Sequence, residues 1–185
     1  MNKNMINKTA FWFVATVATA FALKYVHALS ETQDLLMMIK PASKISGWIM
    51  QTETSFSHAG FYFPSFDINV SKSFSSFHFF LAAFVIIACT IPFHKLKSHS
   101  AVVNFIGALG VAYMLTTAVM VIRIVGLATF IKLDTFAPWL TSYGFLIVTK
   151  AILYIGALFI TYHVVKRIVL LRFQSKSLMD HYPSF

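Results

Sequence analysis

Residues 74–93, FSSFHFFLAAFVIIACTIPF, hold no charged side chain in 20 consecutive positions. At about 1.5 Å per residue, a helix of this length spans the roughly 30 Å apolar core of a bilayer. Three further apolar runs lie at residues 9–26, 101–123 and 143–165. The run that begins at residue 101 continues past Arg123 to residue 131. We predict an all-α, polytopic membrane protein with about four transmembrane helices in one domain, residues 1–172, followed by a loosely ordered tail, residues 173–185.

The composition excludes several protein classes. Of the 185 residues, 58% are hydrophobic and 11% are charged, whereas soluble domains contain about 45–50% apolar and about 25% charged residues. Cys89 is the only cysteine, which excludes an internal disulfide, a cysteine-based zinc cluster and a haem attachment motif. A soluble enzyme, a disulfide scaffold and a disordered chain are therefore excluded, and we expect no metal and no cofactor.

The net charge of +9 predicts topology rather than nucleic-acid binding, because the basic residues gather between the apolar runs. The N-terminus, the 94–100 loop and the tail together carry eight basic residues and one acid; the alternate segments carry five of each. The positive-inside rule then places both termini in the cytoplasm, and residues 25–73 and 132–142 outside. The first run also has features of a signal peptide, but a retained helix is favoured because the rest of the chain is equally membrane-like.

Two segments between the first two runs are apolar but too short to cross the membrane. Residues 35–50 are interrupted by Lys40, Pro41 and Lys44, which predicts a helix in the outer interface or a shallow re-entrant segment. Residues 61–66, FYFPSF, are aromatic, and we predict that these rings lie at headgroup depth. The lipid bilayer is accordingly the first expected partner.

Ionisable side chains within apolar runs are costly and indicate function. Arg123 follows VMVI and precedes IV. It either extends to the outer headgroups or pairs with an anion inside the bundle. Lys150 lies inside the fourth run, and its predicted alternatives are the headgroups or a pair with Asp134 or Asp67.

Polar groups also stand at the start of the 74–93 run. Ser73, Ser75 and Ser76 are expected to cap the helix, and His78 is expected to be a hydrogen-bonded packing residue. Cys89 comes 15 residues after Phe74, about 22 Å deeper along a helix. We predict a buried packing thiol, because a thiol in apolar surroundings ionises poorly.

Several stretches, taken in order, resemble the exosortase family, and most closely its short exosortase K branch. They cover roughly residues 10–165, and the 49-residue gap from Phe74 to Arg123 suits the family spacing. The matching stretches are FALKY at 21–25, DLL at 34–36 with IKP at 39–41, residues 66–80, and Ala112-Tyr113, Thr116 and Val119 leading to Arg123-Ile124.

The resemblance implies a membrane cysteine protease-transpeptidase that acts on C-terminal sorting signals of exported proteins. In that family a cysteine attacks the peptide, a histidine moves protons and an arginine stabilises charge. Carried over, the arginine is Arg123, but the cysteine position falls on Phe74 and the histidine position on Leu140. The family's glycine two residues after the cysteine is Ser76, and the asparagine three before the arginine is Met120. Neither phenylalanine nor leucine can perform the chemistry, so whether this chain is an enzyme stays open.

Three interpretations remain. The chain is a catalytically degenerate family member that still binds sorting signals, or an active sorting peptidase with a displaced nucleophile, or a small helical scaffold or transport subunit. For the second, the candidates are Ser73 or Ser75 with His78, since residues three apart share one helix face. For the third, Arg123 and Lys150 would contact a partner protein.

Overall fold

The computed structural model describes residues 3–57, 59–91, 93, 98–132 and 142–179; within these ranges, side chains are described except at residues 3–6, 98, 142–143, 145–146 and 172–179. Five α-helices dominate this part of the chain: α1 (Lys3–Leu29), α2 (Leu36–Met50), α3 (Phe77–Thr90), α4 (Ser98–Lys132) and α5 (Ser142–Met179).

The predicted all-α polytopic fold is confirmed. Among the described residues, four helical stretches are long and apolar enough to cross a membrane, namely Asn7–Leu29, Lys72–Thr90, His99–Lys132 and Ile147–Leu171. Buried threonine hydroxyls in these helices bond to the carbonyl four residues earlier, as in Thr16 to Trp12 at 2.8 Å and Thr116 to Ala112 at 2.7 Å. Such internal pairing suits a surrounding without water.

Helix α3 is the centre of a bundle formed by α1, α3, α4 and α5, because it packs against each of the other three. In the most apolar stretch of its span, 56% of the residues are buried inside the protein, whereas the corresponding share is 6% in α1 and in α5. The last two helices therefore present their apolar side chains outward. At one end of the bundle, where α1 begins and α3 finishes, Trp12 stacks on Phe93 at 4.8 Å and approaches Phe105 at 5.5 Å.

The other end of the bundle carries a compact unit that we call the cap, residues 35–70. It comprises α2 and a three-stranded antiparallel sheet in the order β1 (Ser55–Ser57), β2 (Gly60–Phe63) and β3 (Ile68–Val70). A single 3₁₀ turn, Pro64–Phe66, joins β2 to β3, and Tyr62 donates a hydrogen bond to Asp67 at 2.9 Å, which raises the pKa of Tyr62. The sheet was not predicted.

The cap has its own hydrophobic core, which it shares with the last third of α4. One face of the sheet and one face of α2 bury their side chains against Met120, Ile124, Leu127 and Ala128 of α4. The contributing cap residues are Leu35, Ile39, Ala42, Phe61, Phe63, Phe66, Ile68 and Val70. Phe61, Phe63 and Phe66 are therefore buried inside the protein, and the depth of residues 61–66 relative to the headgroups stays a prediction.

Helix α2 runs alongside the second half of α4. Near its start, the Met37 carbonyl accepts a hydrogen bond from the Tyr113 hydroxyl at 2.6 Å, and near its end Gly47 lies close to Thr54 and Phe63. Its buried face consists of small side chains, Ala42, Ser43, Ser46 and Gly47 with Ile39, which allow close helix packing. A helix was predicted here and is found; its place in the outer interface or as a shallow re-entrant segment stays a prediction.

Helix boundaries differ from the apolar runs in two places. The predicted span at 74–93 begins as a 3₁₀ turn, Lys72–Phe74, and becomes α-helical at Phe77. Helix α5 continues to Met179, so residues 173–179, expected as part of the tail, are helical. No proline or glycine occurs between Gly156 and Pro183 to end the helix.

Candidate functional site

Arg123 lies where the cap core meets the bundle core. Its side chain is 5% exposed, so the predicted extension to the headgroups is wrong. One terminal nitrogen, Nη1, donates to the Ser76 hydroxyl at 2.9 Å and lies 3.5 Å from the Tyr154 hydroxyl. The Nε atom is buried and has no hydrogen-bond partner.

Phe74, at the family's cysteine position, faces the arginine directly. The guanidinium carbon Cζ lies 5.2 Å from the centroid of the Phe74 ring, within cation–π range. Two residues that the sequence separates by 49 positions thus share one site. We define the junction site as Phe74, Ser76, Arg123, Lys150 and Tyr154.

The backbone at Ser76 brings the hydroxyl to Arg123. Ser76 has φ +50° and ψ +26°, the left-handed region that favours glycine. Its side chain does not cap α3; it accepts from Arg123 and donates to the Phe74 carbonyl at 3.2 Å. The prediction that this serine caps the helix is therefore wrong, since the hydroxyl is used inside the site.

Ser75 contacts a histidine that the sequence analysis did not single out. Its hydroxyl lies 3.5 Å from Nε2 of His27 in α1, not beside His78 as the displaced-nucleophile interpretation expected. The His27 ring stacks on Phe77 at 4.0 Å and lies 6.2 Å from the exposed His78 ring. Ser75 is 2% exposed. The hydroxyl–imidazole pair is therefore closed to a peptide in this conformation.

The loop before α3 is fastened to the end of α1. Lys72 donates to the Ser30 carbonyl at 2.6 Å, and the Ser71 and Ser73 hydroxyls lie 3.1 Å apart. Ser73 is exposed and its recorded partner is Ser71, so the structure does not bring this candidate nucleophile to an imidazole.

Lys150 approaches the junction site from α5. Its Nζ lies 5.7 Å from the centroid of the Tyr154 ring, and Cζ of Arg123 lies 5.9 Å from the same centroid. The predicted pair with Asp67 is not found, because that carboxylate accepts from Tyr62 within the cap. Asp134, the other predicted partner, lies outside the described residues.

Two remaining candidates do not join the site. Cys89 lies near the opposite end of α3, about 20 Å from Ser76 by helical rise, and it is exposed rather than buried as predicted. It lines a cleft of about 260 Å³ with Trp12, Phe13 and Thr90. Leu140, the family's histidine position, lies outside the described residues.

The chemistry of the junction site is that of a cation held by hydroxyls and aromatic rings. Among the described residues, no thiol and no imidazole is recorded in contact with the Arg123 guanidinium. The arginine can bind an anion or a carbonyl oxygen, and the groups recorded in hydrogen-bond contact with it are the Ser76 and Tyr154 hydroxyls, neither of which is recorded beside an imidazole base. Comparison with known proteins finds no matching family model, no matching curated protein and no matching solved structure.

Proposed function

We propose that this chain is an exosortase K-like protein of the bacterial inner membrane that keeps the family's fold and arginine but has lost its peptidase chemistry. Both termini are cytoplasmic and the junction site faces the periplasm. There the protein binds C-terminal sorting signals of exported proteins, and Arg123 donates hydrogen bonds to a carboxylate or carbonyl of the peptide.

The observation that carries this proposal is the contact between Arg123 and Phe74. The resemblance requires that the residue in the cysteine position stand beside the arginine, and the 5.2 Å separation satisfies this requirement. A thiol at that position would be activated by the neighbouring positive charge. A phenyl ring in the same place leaves the arginine without a reaction to assist.

The backbone of Ser76 also supports the resemblance. The family's glycine, two residues after the cysteine, falls on Ser76. The left-handed φ of +50° at this residue is the conformation for which glycine is the ordinary choice. The family pattern and the local geometry therefore agree at a position where the residue types differ.

A second candidate function, acyl transfer by a displaced nucleophile, is favoured by the contact between Ser75 and His27. Serine needs a well-aimed base and an oxyanion site to attack a peptide. At 3.5 Å the pair is long, and a rearrangement would have to expose the hydroxyl. We therefore place this candidate second.

The test is a binding and cleavage assay on the full-length protein in nanodiscs. The probe is a fluorescent peptide with a short polar motif, a hydrophobic stretch and a basic tail, and its control is the same peptide scrambled. The proposal predicts binding without cleavage and a loss of about tenfold in affinity for Arg123→Gln, since a hydrogen bond to a charged group contributes about 1.5–3 kcal/mol. The control variant is Lys132→Gln, which removes a cation of the same helix at the Phe66 ring of the cap.

Each other outcome decides against the proposal. Cleavage that is abolished by Ser75→Ala or His27→Gln supports the displaced nucleophile. Equal binding of the scrambled peptide, or binding that Arg123→Gln leaves unchanged, would favour a scaffold or transport subunit.

A further inference from the structure

Tyr154 brings two positive charges together at the seam between α4 and α5. Lys150 and Arg123 each lie within 6 Å of its ring centroid, and Arg123 also approaches the Tyr154 hydroxyl at 3.5 Å. Like charges repel, so two cations on one ring are stable only with a counter-charge or hydration.

The arginine has unused hydrogen-bonding capacity at this seam. Its side chain is 95% buried and its Nε has no partner. Among the residues that the structure describes, no acidic side chain is recorded within salt-bridge distance of Arg123 or Lys150. A buried cation is held by pairing, so the geometry favours an anion at this seam.

The seam opens toward lipid. Lys150 is half-buried, and the side chain three residues earlier on the same face of α5, Ile147, is apolar and faces outward. The stretch of α5 that is apolar enough to cross a membrane begins at Ile147. Lys150 lies about 5 Å beyond that residue by helical rise. This is the depth at which a lysine side chain meets lipid phosphates.

We propose that the phosphate of a membrane phospholipid binds between α4 and α5 and is the counter-ion of Lys150 and Arg123. The phosphate oxygens accept hydrogen bonds from Lys150 Nζ, from the Tyr154 hydroxyl and from Arg123. The Tyr154 hydroxyl can accept from the guanidinium and donate its own proton to the phosphate. The acyl chains extend from the phosphate along the seam between α4 and α5.

The lipid and the sorting peptide share Arg123 but approach it from different helices. The peptide would contact the side of the arginine that faces Phe74 and α3, and the lipid the side that faces α5. A lipid phosphate would neutralise the buried charge and hold the guanidinium in place.

The experiment is native mass spectrometry of the full-length protein with phosphatidylglycerol, phosphatidylethanolamine or diacylglycerol at equal concentration. The proposal predicts retention of both phospholipids but not of diacylglycerol, which lacks the phosphate. Lys150→Gln and Arg123→Gln should each lower retention about fivefold, as expected for one basic residue at a lipid phosphate. The matched control is Lys166→Gln, further along α5. The Nζ atom of Lys166 lies 5.6 Å from the Tyr162 ring, and these two residues are four apart, as are Lys150 and Tyr154.

Four results would overturn the proposal. Equal loss with Lys166→Gln would show that retention depends on general surface charge. Equal retention of diacylglycerol would show that the phosphate is not recognised. Thermal stabilisation by inorganic phosphate, lost in Lys150→Gln, together with unselective lipid retention, would identify a soluble anion. A severalfold rise in retention with Asp134→Asn would show that this carboxylate is the counter-ion.

Discussion

Arg123 shows how a positive charge is accommodated at the edge of an apolar bundle where the described part of the chain places no carboxylate within salt-bridge distance. The guanidinium charge is delocalised and weakly hydrated, and it stacks on aromatic faces. Phe74 and Tyr154 provide those faces, and the Ser76 and Tyr154 hydroxyls provide the acceptors. The sequence indicated that Arg123 needed a partner but not which residues would serve.

At Ser76, the hydroxyl and the backbone have opposite effects on stability. Ser76→Ala removes the acceptor for Arg123 and keeps the left-handed backbone, so we expect the free energy of unfolding to fall by about 2 kcal/mol. Ser76→Gly removes the same acceptor but relieves roughly 1 kcal/mol of backbone strain. Unfolding in detergent should therefore rank the variants wild type, Ser76→Gly, Ser76→Ala. The reverse order of the two variants would contradict the role given to the backbone.

The contacts that the sequence could not reveal join residues far apart in the chain. His27 meets Ser75 across 48 positions, and Tyr154 meets Arg123 across 31. Neither belongs to a local motif, because each depends on how two helices are rotated about their axes. Phe74 and Arg123 were brought together in the sequence analysis through a family resemblance, which supplies the pairing information that periodicity lacks.

At the scale of elements, the cap contains the largest departure from the sequence analysis. Its strands are three or four residues long, too short for an alternating pattern to be recognised. Pairing such as Phe61 with Val70 and Phe63 with Ile68 depends on a turn that only the backbone reveals. The long helices, by contrast, follow from uninterrupted apolar runs.

Gly60 is required where β2 begins. Its φ is +131°, and a Cβ there would collide with the Val70 carbonyl oxygen. We expect Gly60→Ala to destabilise the cap by about 2–4 kcal/mol and to speed its cleavage by added protease. The control is Gly156→Ala in α5, where a Cβ would meet nothing within 4 Å and which should stabilise by up to about 1 kcal/mol. A cap that tolerates Gly60→Ala without faster cleavage would contradict this packing.

Helix α2 contains Pro41, which has no N–H for the carbonyl of Met37 one turn earlier. Tyr113 of α4 donates to that carbonyl instead, at 2.6 Å. Tyr113→Phe should therefore lower the free energy of unfolding by about 1–2 kcal/mol. In a Pro41→Ala background, where the helix restores its own bond, the same change should have little effect. The double-mutant cycle measures this coupling, and equal effects in both backgrounds would show that the hydroxyl does not replace the missing donor.

At the scale of the whole molecule, the bundle presents two nearly bare apolar helices, α1 and α5, around a buried α3. This arrangement fits lipid on most sides of the protein and a cap at one end. The charge balance of the loops predicts the side on which the cap lies, because it carries no excess of basic residues.

Reporter fusions test that orientation. After Lys97 and after Lys176, a reporter that works only in the cytoplasm should be active. Near Ser57 in the cap, a reporter that works only outside the cytoplasm should be active. If Ser57 is cytoplasmic, the orientation of the protein is opposite to the predicted one. The junction site would then not face the exported proteins that it is proposed to bind.

The central claim is that residue 74 and Arg123 share one site on the periplasmic side of the membrane. In a Cys89→Ser background, Phe74→Cys places a thiol beside the guanidinium. The measurement is the rate of labelling by a membrane-impermeant maleimide added to intact spheroplasts. We predict labelling from outside at a rate that Arg123→Gln lowers, because a neighbouring positive charge favours the reactive thiolate, and that Lys132→Gln leaves unchanged. Labelling only after the membrane is permeabilised, or a rate that Arg123→Gln does not change, would contradict the account.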